Sequence, residues 1–186
     1  MNASLVAERY AKALFQLALE QKAEEEVYRD SLLIARACAE SRELRLLFSS
    51  PVINSGKKAE IVTALFRERV HRVTLNYLLI MVRKKREAFV PAIAREVGEL
   101  YKAYHNILTV KFRSPLLPDE TIRQQVSAIM EKYTQSKIEL QAETDEELIG
   151  GFVLNWDDKQ YDASIRHEIE KLRTAIAKVN LYKKGF

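Results

Sequence analysis

Glu147-Leu148-Ile149-Gly150-Gly151-Phe152-Val153-Leu154-Asn155-Trp156-Asp157-Asp158-Lys159-Gln160-Tyr161-Asp162 decides how the second part of this chain folds. Strand side chains alternate between two faces, so the register of a hairpin fixes which residues share a face. With Asp157-Asp158 as a two-residue turn, Trp156 faces Lys159 and Leu154 faces Tyr161. Phe152, Leu154, Trp156, Lys159 and Tyr161 then lie on one face, and Val153, Asn155, Gln160 and Asp162 on the other. Asp162 is placed to cap a last helix that carries Ile165, Ile169, Leu172, Ile176 and Val179 on one stripe. Gly150-Gly151 does not read as a phosphate cradle. A cradle needs glycines that open a helix, so that helix N–H groups point at the anion. These glycines open a strand, no Gly-Lys-Ser/Thr follows, and they read as a close backbone approach before the hairpin.

Upstream of this stretch the pattern is again mixed. Leu108, Val110 and Phe112 alternate with Thr109 and Lys111, a half-buried strand ended by Pro115 and Pro118. A helix from about Asp119 to Tyr133 carries Ile122, Val126, Ile129 and Met130. Ile138, Leu140 and Ala142 then alternate with Glu139, Gln141 and Glu143 as a second strand. Strand, helix and strand in so short a span imply a parallel crossover. The result is a small mixed sheet with one face covered by two helices.

Residues before about 105 read as helix throughout. Ser4 is placed to cap a first helix to about Leu19, and a second covers roughly Ala23 to Ala39. Ser41 caps a short third with Leu44, Leu47 and Phe48. After Pro51, Ser55 caps a fourth with Ile61, Val62, Leu65 and Phe66. A fifth runs from about His71 to Lys85, and a sixth starts near Phe89 with Pro91 in its first turn. The change of period near Asn106 marks a boundary, giving a helical domain over 1–105 and an alpha/beta domain over 106–186. The fold class is α+β: an all-helical six-helix bundle, then the small mixed-sheet domain. The first helix and the fifth (Leu75 to Val82) are apolar nearly all round. Such a helix is either central in a bundle or holds a second apolar face for a partner.

Leu148 to Leu154, then Asp158-Lys159, Tyr161-Asp162-Ala163-Ser164-Ile165-Arg166 and Glu170-Lys171-Leu172, closely resemble the signature of ATP synthase delta subunits. That family includes the mitochondrial oligomycin-sensitivity-conferring protein. Tyr10 to Phe15 resembles the opening of these subunits. Ser50-Pro51-Val52-Ile53 with Lys58, Ile61, Leu65 and Phe66, and Asn76 to Leu79 with Arg86, Val90-Pro91 and Ile93, resemble their middle. Asp157, Trp156 and His167 depart from the pattern. The resemblance implies a non-catalytic stator subunit of a proton-translocating ATP synthase, peripheral on the cytoplasmic side of a bacterial plasma membrane. It implies two partners. An amino-terminal helix of an alpha subunit lies between the first and fifth helices, lined by Tyr10, Leu14, Leu78, Leu79, Ile80 and Met81. The end of the b-subunit stalk meets the second domain. No cofactor, nucleic acid or small-molecule ligand is implied.

Composition fits such a chain. Of 186 residues 47% are hydrophobic and 30% charged, an ordinary globular balance, and the net charge of +4 does not demand an acidic partner. One cysteine, Cys38, excludes an intrachain disulfide and falls on a stripe with Val27, Ser31, Ile34 and Ala35, as a buried structural thiol would. His71, His105 and His167 have no metal-ligand spacing. Glu8, Arg9 and Lys12 interrupt any secretory core, and the apolar run from Val73 to Val82 is about half of the roughly 20 residues a spanning helix needs. Membrane association is therefore expected through partners. Asp145-Glu146-Glu147 and Asp157-Asp158 are tight acidic clusters that sit at turns without a His nearby, so neither makes an acid–base site. The rival reading is a small RNA-associated helical factor, resting on Arg83-Lys84-Lys85-Arg86. Cations at a helix C-terminus also simply complement its dipole.

Overall fold

Apolar residues at helical spacing fill the first hundred positions, and helices form there. The computed structural model describes residues 3–183, with side-chain surroundings over 5–175. The chain divides into Met1–Tyr104 and His105–Phe186. In the first unit α1 spans Ala3–Glu20, α2 Glu24–Glu40, α3 Arg42–Ser49, α4 Ser55–Phe66, α5 Arg72–Arg83 and α6 Val90–Tyr104, with a 3-10 turn at Glu87–Phe89. Ser4 lies inside α1 rather than before it.

Local chemistry sets the breaks between these helices. At the end of α1, Lys22 takes φ 53, Ala23 N–H donates to Ala18 O and Lys22 N–H to Leu19 O, a Schellman closure without glycine. Lys85, at φ 55, closes α5 in the same way through Arg86 N–H to Met81 O. Ser41 Oγ accepts from Leu44 N–H at 3.1 Å and caps α3 as expected. The cap of α4 is Asn54 instead of Ser55: its Oδ1 accepts from Lys57 N–H at 2.8 Å, and Ser55 becomes the first helical residue. All six helices contribute to one core, in which Val27, Val62, Val82 and Val97 are fully buried. Each such side chain contributes about 1.5–3 kcal/mol of burial.

In the second unit β1 spans Ile107–Ser114, α7 Glu120–Thr134, β2 Lys137–Thr144, β3 Val153–Trp156, β4 Lys159–Asp162 and α8 Ile165–Lys183. The sheet order is β2-β1-β3-β4, with β1 and β2 parallel and the other pairs antiparallel. Trp156 pairs with Lys159 and Leu154 with Tyr161, the expected register. Asp157 turns the corner at φ 46. Asp119 Oδ1 accepts from Ile122 N–H at 2.7 Å to start α7, which packs on β2. Val110, Phe112, Met130, Leu154 and Trp156 form the core.

Two expectations fail here. Asp162 does not cap the last helix: its Oδ1 accepts from Ser164 N–H at 2.8 Å, and Ser164 Oγ instead accepts from His167 N–H at 3.2 Å. The chain needs that extra turn to leave β4 before α8 can begin. Nor, among the described residues, do two helices cover one face of the sheet. Among the described residues α7 covers it, whereas Ile165, Ile169 and Leu172 of α8 stand 42–62% exposed. Ile176 and Val179 lie outside the described side chains.

Candidate partner-binding surfaces

The two faces of α1 differ by one residue of phase. Ala7, Ala11, Leu14 and Ala18 recur at helical spacing and are buried. The three alanines let α1 come close to α6, on which it packs. Rotating the helix by one residue brings up Val6, Tyr10, Ala13 and Leu17, a second apolar stripe that stays partly or fully accessible. On α5 the same division holds: Val73, Thr74, Leu78, Met81 and Val82 are buried, and Ile80 is 51% exposed.

This phase splits the six residues expected to line a groove. Leu14, Leu78 and Met81 pack in the core. Tyr10 is half-buried and meets α5 through Tyr77, whose hydroxyl donates to Tyr10 O at 2.9 Å. Burial pushes the Tyr77 phenol well above its ordinary value, and the adjacent Tyr10 adds to this, so Tyr77 stays a donor. The Arg86 guanidinium lies 5.5 Å from the Tyr10 ring centroid. Leu79 faces a different cleft, of about 730 Å³, shared with Ala59, Thr63, Leu65, Arg67 and Arg83. The accessible apolar residues are therefore Val6, Tyr10, Ala13 and Leu17 on α1 and Tyr77 and Ile80 on α5, with Tyr10 and Tyr77 in contact. The second stripe of α1 is offset from the buried one by a single residue, a phase that an all-round apolar sequence does not reveal.

The second unit carries a more pronounced surface. Val126, Ile129, Met130, Tyr133, Phe152, Leu154, Trp156 and Tyr161 enclose an open apolar cleft of about 410 Å³ between α7 and the hairpin. Ile129, Tyr133 and Tyr161 are more than half exposed. Tyr133 meets Trp156 edge-on at 6.1 Å, and Phe152 stacks on Phe112 at 5.4 Å. The hairpin face foreseen from alternation supplies four of these side chains.

The glycine stretch is a structural knot. Gly151 sits at φ +80, and a Cβ there would lie 2.2 Å from Ala163 O. A Cβ on Gly150 would lie 2.6 Å from Ile165 Cδ1. Ile165 N–H donates to Gly150 O, Ala163 N–H to Phe152 O, and Arg166 to Glu147 O. The signature from Leu148 to Arg166 thus fastens the first turn of α8 to the hairpin.

Buried charges were not foreseen. Lys58 Nζ donates to Glu87 Oε1 at 2.5 Å, with both side chains nearly inaccessible. Asp30 Oδ2 accepts from His71 N–H at 2.7 Å and Thr74 Oγ1 at 2.6 Å, holding the start of α5 from α2. Burial raises the Asp30 carboxyl above its ordinary range, against the pull of those two bonds. Both arrangements tie elements of the first unit together. Cys38 is buried, and burial pushes its thiol up. Among the described residues no His, Cys, Asp and Glu group could hold a metal. Asp145 pairs with Arg113 at 3.4 Å. Arg83, Lys84, Lys85 and Arg86 are exposed at the end of α5, where only Arg86 among them has a described ring contact, with the half-buried Tyr10, and Phe112 beside Lys111 is buried, so among the described residues no row of exposed aromatics is interleaved with the basic residues. Among the described residues no helix is long and apolar enough to cross a membrane.

Fold and surfaces define an adaptor: two small units whose accessible chemistry is apolar and aromatic contact. Residues 6–176 match the family model of the ATP synthase delta (OSCP) subunit. ATP synthase subunit delta of Chloroherpeton thalassium is 30% identical, with 94% of this chain and 95% of that protein covered. The same subunit of Cytophaga hutchinsonii is 33% identical over 93% of this chain and 94% of its own length. A chain in the cryo-EM structure of the Toxoplasma gondii mitochondrial ATP synthase hexamer shares the fold, with TM-score 0.70 and 20% identity over 92% of this chain and 97% of that one. The chain belongs to the ATP synthase delta (OSCP) subunit family. It is a structural subunit of the peripheral stalk and carries no catalytic site of the synthase. The RNA-associated reading is left without support.

Proposed function

We propose that this subunit joins the catalytic head to the stalk by binding one helical partner on each unit, on the cytoplasmic side of a bacterial plasma membrane. The first unit receives the amino-terminal helix of an alpha subunit on the α1–α5 face. The second receives the end of the b-subunit stalk in the cleft between α7 and the hairpin. Turning of the central shaft loads the head with a counter-torque, and this chain holds the head against it. A joint under load needs slow dissociation, which concentrated apolar and aromatic anchors provide. The observation that carries the reading is the second apolar stripe of α1, Val6-Tyr10-Ala13-Leu17, left accessible after the core is filled, with Tyr10 bonded to Tyr77 of α5. A soluble unit gains nothing from it until a partner helix lays its own apolar face there.

The test uses charges placed on and beside each surface. Ile80→Asp buries an unpaired carboxylate only in the complex, which costs several kcal/mol there and little in the free chain. Affinity for a synthetic alpha amino-terminal peptide should fall at least about a hundredfold with an unchanged melting temperature. Leu78→Asp, at a buried position, should collapse the melt instead. Tyr161→Asp should spare the alpha peptide and abolish binding of a b carboxy-terminal peptide. Unchanged affinity for the alpha peptide in folded Ile80→Asp protein would remove that face from the interface.

A further inference from the structure

Lys85 takes a left-handed φ of 55 at the end of α5, and Arg86 N–H closes on Met81 O at 2.9 Å. That reversal carries the Arg86 side chain over α1, where its guanidinium lies 5.5 Å from the centroid of the Tyr10 ring. Tyr10 is itself held in place, because its carbonyl accepts from the Tyr77 hydroxyl at 2.9 Å. A ring contact occupies one face of the guanidinium plane and leaves the N–H groups at its edge able to donate. The carboxylates that flank the two residues in sequence are engaged elsewhere. Glu87 is buried and accepts from Lys58 Nζ, and Glu8 pairs with Lys12 at 2.7 Å. Among the described residues no carboxylate pairs with Arg86, which is exposed. Lys84 and Lys85 beside it are exposed as well, so the field at this point of the surface is positive.

We propose that Arg86 is a specificity residue of the α1–α5 face: it receives a carboxylate of the helix that docks there, in a two-pronged pairing held in plane by the Tyr10 ring. The proposal rests on the reading of that face given above and adds the chemistry its partner must bring. Apolar stripes alone discriminate little between amphipathic helices, because their contact is not directional. A guanidinium placed in advance does discriminate, since its planar fork matches a carboxylate. Stacking on Tyr10 also removes part of the side-chain freedom that pairing would otherwise cost. Lysine would not serve, having neither a plane to stack nor a fork. The docked helix therefore carries an Asp or Glu on the flank of its apolar stripe, within about one turn of the residue that covers Tyr10. A helix with a cation there would face Arg86, Lys84 and Lys85 and is rejected. Because Arg86 stands over Tyr10, one point of the α1 stripe, the pairing also fixes the register of the docked helix.

The test is the affinity of the full chain for the synthetic alpha amino-terminal peptide, measured by calorimetry at about 50 mM and about 500 mM salt. Arg86→Gln should weaken binding about tenfold at the lower salt and less at the higher, with an unchanged melting temperature. Arg86→Lys should recover no more than about threefold of that loss. The peptide is then varied, each Asp or Glu in turn replaced by Asn or Gln. One replacement should weaken binding to the original chain by about the same factor and have no further effect on Arg86→Gln, the non-additivity that marks a direct pair. If Arg86→Gln weakens binding of every peptide in the series equally, Arg86 only supports Tyr10 and the proposal falls. It falls too, with the docking face left standing, if Arg86→Gln binds as tightly as the original chain or if a bound peptide has no acidic side chain. Failure of the original chain to bind the peptide at all overturns both this proposal and the reading of the face.

Discussion

Replacing Gly151 by alanine tests the role assigned to the knot. At φ +80 a side chain costs about 1–2 kcal/mol in backbone strain. The new Cβ would also sit 2.2 Å from Ala163 O and 2.9 Å from Ser164 Cα, and both neighbours are backbone. No rotamer relieves that contact, so the segment from Asp162 to Ile165 must move by about an ångström to reach ordinary carbon–oxygen separation. The movement pulls apart Ala163 N–H to Phe152 O at 3.0 Å and Ile165 N–H to Gly150 O at 3.1 Å. Each bond contributes about 0.5–1.5 kcal/mol net, so the expected loss is about 2–5 kcal/mol. Scanning calorimetry should show the transition of the second unit lowered by about 10 °C or more, and that of the first unmoved. Gly98→Ala is the internal control. Its Cβ would meet only Tyr28, at 4.0 Å, inside α6, and helix propensity should add about 0.5–1 kcal/mol to the first unit. A Gly151→Ala loss below about 1 kcal/mol would refute the account of the knot.

Three further outcomes follow from buried groups and from the division of the chain. Lys58→Met strands the Glu87 carboxylate in the core and should cost about 3–5 kcal/mol in urea unfolding, whereas Lys58→Met with Glu87→Leu should cost much less than that single change. Asp30 has a folded-state value raised above its ordinary 3.8, so the folded state holds that proton more tightly and stability falls as pH rises through the interval between the two values. Asp30→Asn keeps an acceptor for His71 and Thr74 and should flatten that fall, while Asp30→Ala should cost about 1–3 kcal/mol; melts recorded from acid to neutral pH separate them. Residues 1–104 expressed alone should melt cooperatively with a helical circular dichroism spectrum, and a broad, non-cooperative melt would show that the first unit depends on the second.

The sequence by itself determined what depends on near neighbours. The Trp156–Lys159 register follows from a two-residue turn and a period of two, and nothing distant can shift it without turning the apolar face to water. The Ser41 cap and the existence of the described helices are local in the same sense, and the β1–α7–β2 order implied the parallel crossover through a connection rule rather than a residue pairing. The long ordered signature from Leu148 to Leu172 carried the family. Only the tertiary structure decided matters set by partners far along the chain. Lys58 and Glu87 are 29 residues apart, and Asp30 reaches His71 and Thr74 across 41 and 44. No spacing rule pairs residues at such distances. An all-round apolar helix such as α1 does not specify which stripe is core. That was fixed when α6 packed on the alanine stripe, burying Leu14 and leaving Tyr10 half-open. The apolar stripe of α8 promised coverage of the sheet in the same way, yet its Ile165, Ile169 and Leu172 stay exposed, and burial is decided by what an element touches rather than by what it could touch.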